Sequence, residues 1–159
     1  MSRPRNGWVL PVSLLVALLL GLVPLPEAMQ PFRPHWLALV LAYWLLEAPE
    51  RVGPGVAFAV GLVADVAFGS LIGEQALRLV VLAFILDRFR ARLRFFPFSQ
   101  QALTIAVLLL NDRVINAVVH VVLGVPQLPW PYWLSPLVGM LLWAPLHLLL
   151  DALRLRRRA

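Results

Sequence analysis

Asp65 is the ionisable residue best placed to do chemistry, because it interrupts a long apolar stretch over residues 52–72. A charge inside such a stretch is costly to bury and is a candidate functional group for that reason. Small residues recur around it at four-residue steps, which places them with Asp65 on one helical face. Such faces let helices approach closely in membranes. We therefore expect Asp65 to point into protein, where it caps a neighbouring helix or pairs with an arginine; a proton or ligand site is the alternative. The stripe contains Ala57, Gly61, Asp65, Gly69 and Gly73.

A second polar stripe lies in the fifth apolar stretch. Asp112, Asn116 and His120 are spaced four residues apart and share one helical face. Arg113 lies about 100° around the same helix and can face a different neighbour. Because Asp65 and Arg113 both fall near the middle of their stretches, we predict that they form a cross-helix pair that neutralises two costly charges.

The chain lacks the residue patterns on which common catalytic sites depend. Cysteine is absent, which excludes disulfides, thiol catalysis and thiolate metal sites. The three histidines are predicted at different depths, and neither His-Glu-x-x-His nor Gly-x-Ser-x-Gly occurs. An acid–base couple of Asp65 and His120 is the remaining catalytic alternative. We therefore predict a protein that is not an enzyme and that binds no cofactor or metal ion.

The composition predicts that lipid, rather than water, surrounds this chain. Hydrophobic residues make up 61% of it and charged residues 14%, against roughly half and roughly a quarter in soluble domains. The chain has six apolar stretches, of which four approach the roughly 20 residues that cross a bilayer, whereas the second and fourth are shorter. We predict an all-α polytopic membrane protein with six transmembrane helices, in which residues 1–159 form a single transmembrane domain. The stretches are 8–25, 36–46, 52–72, 76–86, 101–123 and 132–150.

The arginines predict the orientation, because loops rich in positive charge stay in the cytoplasm. Most of them fall at the N-terminus, between the fourth and fifth stretches, and at the C-terminus. Six spans with both termini in the cytoplasm place these clusters on one side of the membrane. A cleaved signal peptide ending at Ala28 is the alternative for the first stretch.

The segment between the fourth and fifth stretches interleaves arginine with phenylalanine and leucine, in the sequence RFRARLRFF. We predict that it lies on the anionic cytoplasmic leaflet, where each arginine adds ~1 kcal/mol of attraction, or that it docks a cytoplasmic partner. Nucleic acid also binds such patterns, but it is not expected directly after a membrane span. This basic surface consists of Arg88, Arg90, Arg92 and Arg94.

Several short motifs follow one another along the chain. FRP-x-W comes first, Tyr-Trp precedes a Pro-x-Arg-Val turn, and G-x-x-x-D-x-x-x-G-S-x-x-G follows. Gln-Gln-Ala-Leu and Leu-Trp-x-Pro occur later. The residues concerned are Phe32, Arg33, Pro34, Trp36, Tyr43, Trp44, Pro49, Arg51, Val52, Gly61, Asp65, Gly69, Ser70, Gly73, residues 100–103, Leu142, Trp143 and Pro145. Over nearly the whole chain, this series resembles the MreD family, the rod shape-determining proteins of Gram-negative bacteria. Asp112 and Arg113 are not part of the pattern.

The resemblance implies a non-enzymatic scaffold of the bacterial inner membrane that takes part in cell elongation and peptidoglycan synthesis. Its implied partners are the single-span protein MreC, the actin-like MreB filament, the synthase RodA and the transpeptidase that works with RodA. More distantly, the family is similar to the six-span substrate-binding subunits of energy-coupling-factor transporters. The alternative function is therefore a small-molecule-binding membrane subunit of a transporter.

Two segments of the predicted topology face the periplasm and are candidates for contact with an MreC-like partner. The first is the Pro-rich segment that leads into the second span, and the second surrounds the glycines after Asp65. The competing interpretation is that these glycines only pack the protein's own helices. The candidate contact residues are Arg33, Pro34, Trp36, Gly69, Gly73 and Glu74.

Overall fold

The structure is a computed structural model that describes residues 8–24, 26, 28–29, 35–48, 51–69, 72–124 and 130–155. Within these residues the chain forms six α-helices and one short 3-10 helix, so the predicted all-α class is confirmed. Two segments, Phe98–Leu123 and Trp130–Leu153, are long and apolar enough to cross a membrane, and three shorter apolar helices accompany them. The helices are α1 (Val9–Leu22), α2 (Trp36–Glu47), α3 (Pro54–Phe68), α4 (Glu74–Leu93), α5 (Phe98–Leu123) and α6 (Ser135–Leu155), and the 3-10 helix is Trp130–Leu134.

α2 is the central helix of the bundle. Every residue from Leu37 to Leu46 is buried, and the helix contacts α1, α4, α5 and α6. It has 12 residues, which extend about 18 Å, less than the ~30 Å of a hydrocarbon layer. The short apolar stretch predicts a helix that is extended at its ends or sits against its neighbours, and the second alternative is confirmed. Tyr43, Trp44 and Trp143 of α6 are among the largest side chains in the interior around it.

α3 ends at Phe68, before the end of its apolar stretch at residue 72. Gly69 terminates the helix in the left-handed conformation, with φ 66°, and Gly73 precedes α4 with φ 101°. Residues with a Cβ atom rarely adopt these conformations. The predicted stripe therefore stops at Asp65, and the expectation that Gly69 and Gly73 continue a helical face is wrong, because both belong to the turn between α3 and α4.

Gly61 is the glycine of the stripe that brings two helices together. α3 and α4 are in extensive contact, and a Cβ atom on Gly61 would overlap the backbone of Ala76. Small residues permit this close approach between helix backbones. A Cβ atom on Gly69 or Gly73 would meet open space instead. The close-packing role that the stripe predicts is thus confirmed at Gly61 alone among its glycines.

α4 continues beyond its predicted apolar stretch, from residue 86 to Leu93. Charged residues lower the hydropathy of this extension, but arginine, alanine and leucine favour helix, and no glycine or proline occurs before Pro97. The apolar stretches predict that the longest connection lies around residues 88–99, and this prediction is wrong for the first half of that segment, which is helical. The first three arginines of the basic surface lie on the last turns of α4, and Arg94 directly follows the helix.

The bundle has two ends, which carry different polar groups. One end, where α1 and α3 finish and α2 and α4 begin, is named the cavity end because a cavity opens there. The opposite end, where α2 and α4 finish and α3 and α5 begin, carries the basic surface and is named the basic end. Contacts between distant helices follow this arrangement. His35, before α2, lies beside Asp112 of α5, whereas Glu47, the last residue of α2, contacts His147 of α6.

Candidate functional site

Asp65 caps the start of α4. Its side chain is buried, with 1% of its surface exposed. Oδ2 accepts a hydrogen bond of 2.8 Å from the backbone N–H of Gly73, and Oδ1 accepts one of 2.8 Å from that of Gln75. The first N–H groups of a helix have no partner within it and carry a partial positive charge, so a carboxylate stabilises them. The capping role predicted for Asp65 is confirmed.

Arg78 and Asp112 form a buried ion pair between α4 and α5. The guanidinium donates through Nε to Oδ1 at 2.8 Å and through Nη2 to Oδ2 at 2.5 Å, and both residues are more than nine-tenths buried. Glu74, one turn earlier on α4, has a carboxylate oxygen 3.7 Å from Nη1 of Arg78. On the other side of the pair, Nδ1 of His35 lies 3.5 Å from Oδ2 of Asp112. Two-pronged pairing of this kind locks the relative rotation of the two helices.

The predicted pair between Asp65 and Arg113 is wrong. Arg113 donates a hydrogen bond of 3.0 Å to Oγ of Ser135, and its guanidinium carbon lies 5.7 Å from the ring centroid of Tyr132, a cation–π contact. α5 turns Asp112, not Arg113, towards α4. There the positive charge of Arg78 neutralises the carboxylate of Asp112. Depth along a helix predicts that a charge needs a partner but does not specify which face it occupies.

The polar stripe on α5 is inward-facing over two of its three residues. Asp112 and Asn116 are buried, with 4% and 6% of their surfaces exposed. His120, a turn further on, is only partly buried. The stripe therefore begins at the ion pair with Arg78 and runs outwards towards the end of α5.

A second polar cluster lies near the basic end, and sequence reasoning missed it. His147 Nε2 lies 3.3 Å from Oε1 of Glu47, and its Nδ1 lies 3.1 Å from Oδ2 of Asp151. The Tyr43 hydroxyl donates a hydrogen bond of 2.5 Å to Oδ1 of the same aspartate. The four-residue spacing of His147 and Asp151 is the one local signal, whereas Glu47 is 100 residues away in sequence.

Two motifs that are distant in sequence meet at this end. The Gln101 side chain donates through Nε2 to the carbonyl of Leu93, at 2.8 Å. Its Oε1 accepts a longer hydrogen bond, of 3.4 Å, from the indole of Trp143. Gln101 belongs to the Gln-Gln-Ala-Leu motif and Trp143 to the Leu-Trp-x-Pro motif, so the contact holds α6 against the turn between α4 and α5.

A cavity of about 410 Å³ opens at the cavity end of the bundle. Its polar wall is formed by His35, Gln75, Arg78 and Arg113, and its apolar wall comes from α1, the start of α2 and the end of α3. Within the described residues, Oε1 of Gln75 and Nε2 of His35 are buried without a hydrogen-bond partner. The volume of the cavity falls within the range of about 300–1,000 Å³ that is typical of ligand pockets.

The remaining predicted positions have different surroundings. Arg33 and Pro34 lie outside the described residues. Trp36 begins α2 and lines the cavity, and Glu74 is the first residue of α4. In the basic surface, Arg90 lies 3.6 Å from Asp87, and the other arginines are exposed. Across the described ranges, no group of three histidine, aspartate or glutamate side chains could hold a metal ion.

Comparison with known proteins gives a consistent relationship. The family model for rod shape-determining protein MreD matches residues 2–153. A Haemophilus influenzae protein named rod shape-determining protein MreD is 32% identical over 139 residues, which cover 87% of this chain and 86% of that protein. No solved structure matches the chain significantly. The family match over nearly the whole length, together with the relative, shows that this chain belongs to the MreD family of rod shape-determining proteins.

Proposed function

We propose that this protein is a non-enzymatic, multi-pass component of the bacterial inner membrane that maintains rod shape by coupling an MreC-like protein and an MreB-like filament to peptidoglycan synthesis. The observation that carries the proposal is the family match over residues 2–153. The geometry supports a structural role, because the buried charges of the described residues cap or cross-link helices. Asp65 caps α4, and the ion pair of Arg78 and Asp112 joins α4 to α5.

The proposed topology has six spans with both termini in the cytoplasm. The distribution of apolar side chains supports it, since large hydrophobic residues are exposed on the outer faces of five helices, whereas α2 is enclosed. Water would oppose such a surface, but lipid favours it. In this orientation the basic end faces the cytoplasm and the cavity end faces the periplasm. Representative exposed residues are Leu15, Val66, Phe84, Val107 and Leu141.

The periplasmic contact with an MreC-like bitopic partner is proposed to use the turn between α3 and α4 and the segment before α2. The turn does not offer a helical groove, because Gly69 and Gly73 shape the backbone there. It does present Ile72, with 75% of its surface exposed, next to Glu74. On the other segment the proposed contact residues are Trp36 and the sequence-based candidates Arg33 and Pro34, which lie outside the described residues.

The cytoplasmic contact is proposed to use the basic surface. Its arginines follow the last turns of α4, and exposed Phe89, Phe95 and Phe96 lie between and beside them. Arginine and phenylalanine together suit the headgroup region of an anionic leaflet. The proposed protein partners are an MreB-like filament, bound directly or through MreC, and RodA with its transpeptidase.

The test is complementation in a rod-shaped bacterium depleted of its own MreD, with cell width and capture of MreC as readouts. The wild-type chain should restore rods and retain MreC in detergent extracts. Gly73→Ala, which strains the turn without filling any contact, should reduce the amount of MreC captured per amount of the protein in the membrane, whereas Gly55→Ala, at an open position without positive φ, is the control. Failure of the wild-type chain to restore rods or to capture MreC would contradict the proposal.

The second candidate function is a small-molecule-binding subunit of a transporter, and the cavity near His35 and Arg113 is the observation that favours it. This function predicts a water-soluble compound released from the purified protein on denaturation and co-purification with an ATP-hydrolysing module. Neither result is expected of the rod-complex component.

A further inference from the structure

The cavity is bordered by an apolar groove that extends along the side of the bundle. The groove has a volume of about 270 Å³ and lies between α1 and α3. Leu37 lines both spaces, and Ala17 of the cavity is followed directly by Leu18 of the groove. Leu15 and Val63 on its margins are more than half exposed, so the groove is open towards the surroundings of the bundle. A polar chamber that adjoins an apolar channel suits an amphipathic molecule with one polar and one aliphatic end.

The polar chamber offers donors for a phosphate. The guanidinium of Arg113 donates through Nη2 to Ser135, and Arg113 also lines the cavity. Arg78 lines the same wall. Arginine is suited to phosphate because its planar set of N–H groups matches the phosphate oxygens. The apolar part of the wall, including Trp36 and Phe68, suits the adjoining carbon atoms of an ester-linked molecule.

Gln75, which lines the chamber, carries a buried side-chain oxygen that has no hydrogen-bond partner within the described residues. This oxygen is Oε1, and Gln75 itself is only 9% exposed. Buried polar atoms are rarely left unsatisfied, and a bound water or ligand group commonly supplies the missing partner. A cavity of about 410 Å³ has room for far more than one water. An ammonium or hydroxyl group of the occupant would satisfy this oxygen.

The charges around the start of α4 favour a zwitterion over an anion. Two guanidiniums, those of Arg78 and Arg113, are accompanied by the three carboxylates of Asp65, Glu74 and Asp112. The two guanidiniums and three carboxylates of this set are already one positive charge short of neutrality. A net anion would add to the imbalance, whereas a phosphate with its own ammonium group would not.

We propose that the cavity and the adjoining groove bind a phospholipid with an ethanolamine headgroup. Its phosphate lies against Arg113 and Arg78, its ammonium group donates to Oε1 of Gln75, and one acyl chain occupies the groove between α1 and α3. The site rests on the proposed membrane placement, with the cavity end at the periplasmic leaflet. It is independent of the proposed role in rod shape.

The test uses the purified full-length chain in detergent, titrated with phosphatidylethanolamine, phosphatidylcholine and phosphatidylglycerol of identical acyl chains, with bound lipids counted by native mass spectrometry. Choline has no N–H donor, so the wild-type chain should prefer the ethanolamine lipid over the choline lipid by about tenfold, the effect of one hydrogen bond to a charged group. Gln75→Leu should abolish that preference. Gln100→Leu, the same change at an exposed position near the basic end, should retain it.

A second pair of variants locates the site. Ala67 lines the cavity from an exposed position on α3, so Ala67→Trp should occupy the space and reduce lipid binding about tenfold, the loss expected when a charge-assisted contact is blocked. Ala91→Trp, on an exposed face of α4 near the basic end, should bind as the wild type does. If Ala67→Trp aggregates, Val63→Trp in the groove replaces it.

Four results would overturn the proposal. Equal binding of ethanolamine and choline lipids by the wild type would contradict the hydrogen bond from the ammonium group to Gln75. Tighter binding of phosphatidylglycerol would contradict the preference for a zwitterionic headgroup. Undiminished lipid binding by a monodisperse Ala67→Trp or Val63→Trp variant places the lipid elsewhere, as does release of a water-soluble compound from the cavity. Ethanolamine selectivity in a chain that fails to restore rod shape would contradict only the proposed function.

Discussion

Replacing Arg78 by leucine should destabilise the protein strongly, because it leaves Asp112 charged and buried without its main partner. The pair is held by two short hydrogen bonds, of 2.8 and 2.5 Å, and Asp112 is only 4% exposed. Nδ1 of His35 lies 3.5 Å from Oδ2 of Asp112 and is too distant for a strong hydrogen bond. Breaking a buried pair on one side costs about 3–5 kcal/mol. At roughly 2–4 °C per kcal/mol for a chain of this size, the melting temperature should fall by about 10 °C.

The assay is thermal unfolding in detergent, followed by intrinsic tryptophan fluorescence, for the single variants and the double variant. Arg78→Leu combined with Asp112→Leu should recover most of the loss, since a buried pair can be replaced by apolar residues at little cost. Arg90→Leu is the control. Its partner Asp87 is 57% exposed at the side chain, and surface pairs contribute about 0–1 kcal/mol. The stabilising role of the pair would be contradicted if Arg78→Leu lowered the melting temperature no more than Arg90→Leu does. It would also be contradicted if the double variant melted no higher than Arg78→Leu alone.

Three further changes test the capping, packing and basic-surface assignments. Asp65→Leu should lower the amount of protein in membranes, because two N–H groups at the start of α4 lose their acceptor, at a cost of about 1–3 kcal/mol each. Wild-type protein levels on immunoblots would argue against the cap. Gly61→Ala should lower the amount further, because its Cβ overlaps the backbone of Ala76, whereas Gly55→Ala should not. Replacing all four arginines of the basic surface by glutamine should either disturb the orientation of a C-terminal reporter that is active only in the cytoplasm or weaken docking of the cytoplasmic partner. If neither changes, these arginines are only solvated.

The sequence predicted best where a feature depends on residues that are close along the chain. Each of the six apolar stretches overlaps one of the described helices, and the cap formed by Asp65 involves a turn of only a few residues. The errors at the ends of helices have local causes as well. α3 ends early because Gly69 adopts a left-handed conformation, and α4 extends further because hydropathy, unlike helix propensity, penalises arginine.

Charge pairing was not predictable in the same way. The arginine count assigns Arg78 to the side of the membrane opposite the cytoplasm and names no partner for it, whereas the structure buries it against Asp112, 34 residues away. Arg113 was paired with Asp65 by depth, and it faces Ser135 and Tyr132 instead. An angular difference of about 100° between neighbouring helical positions decides such cases, and the rotation of each helix is set only when its neighbours are in place.

The amino-acid sequence by itself determined that this protein is helical, largely apolar and similar to the MreD family. Hydropathy, local periodicity and the order of the motifs are properties of the chain alone. The tertiary structure decided which polar groups meet. Packing around the buried helix α2 brings His35 to Asp112 at one end and Glu47 to His147 at the other. It also leaves a polar cavity beside an apolar groove, since α1 and α3 make few contacts with each other. No single segment encodes that space, which exists only where the ends of several helices fail to fill it.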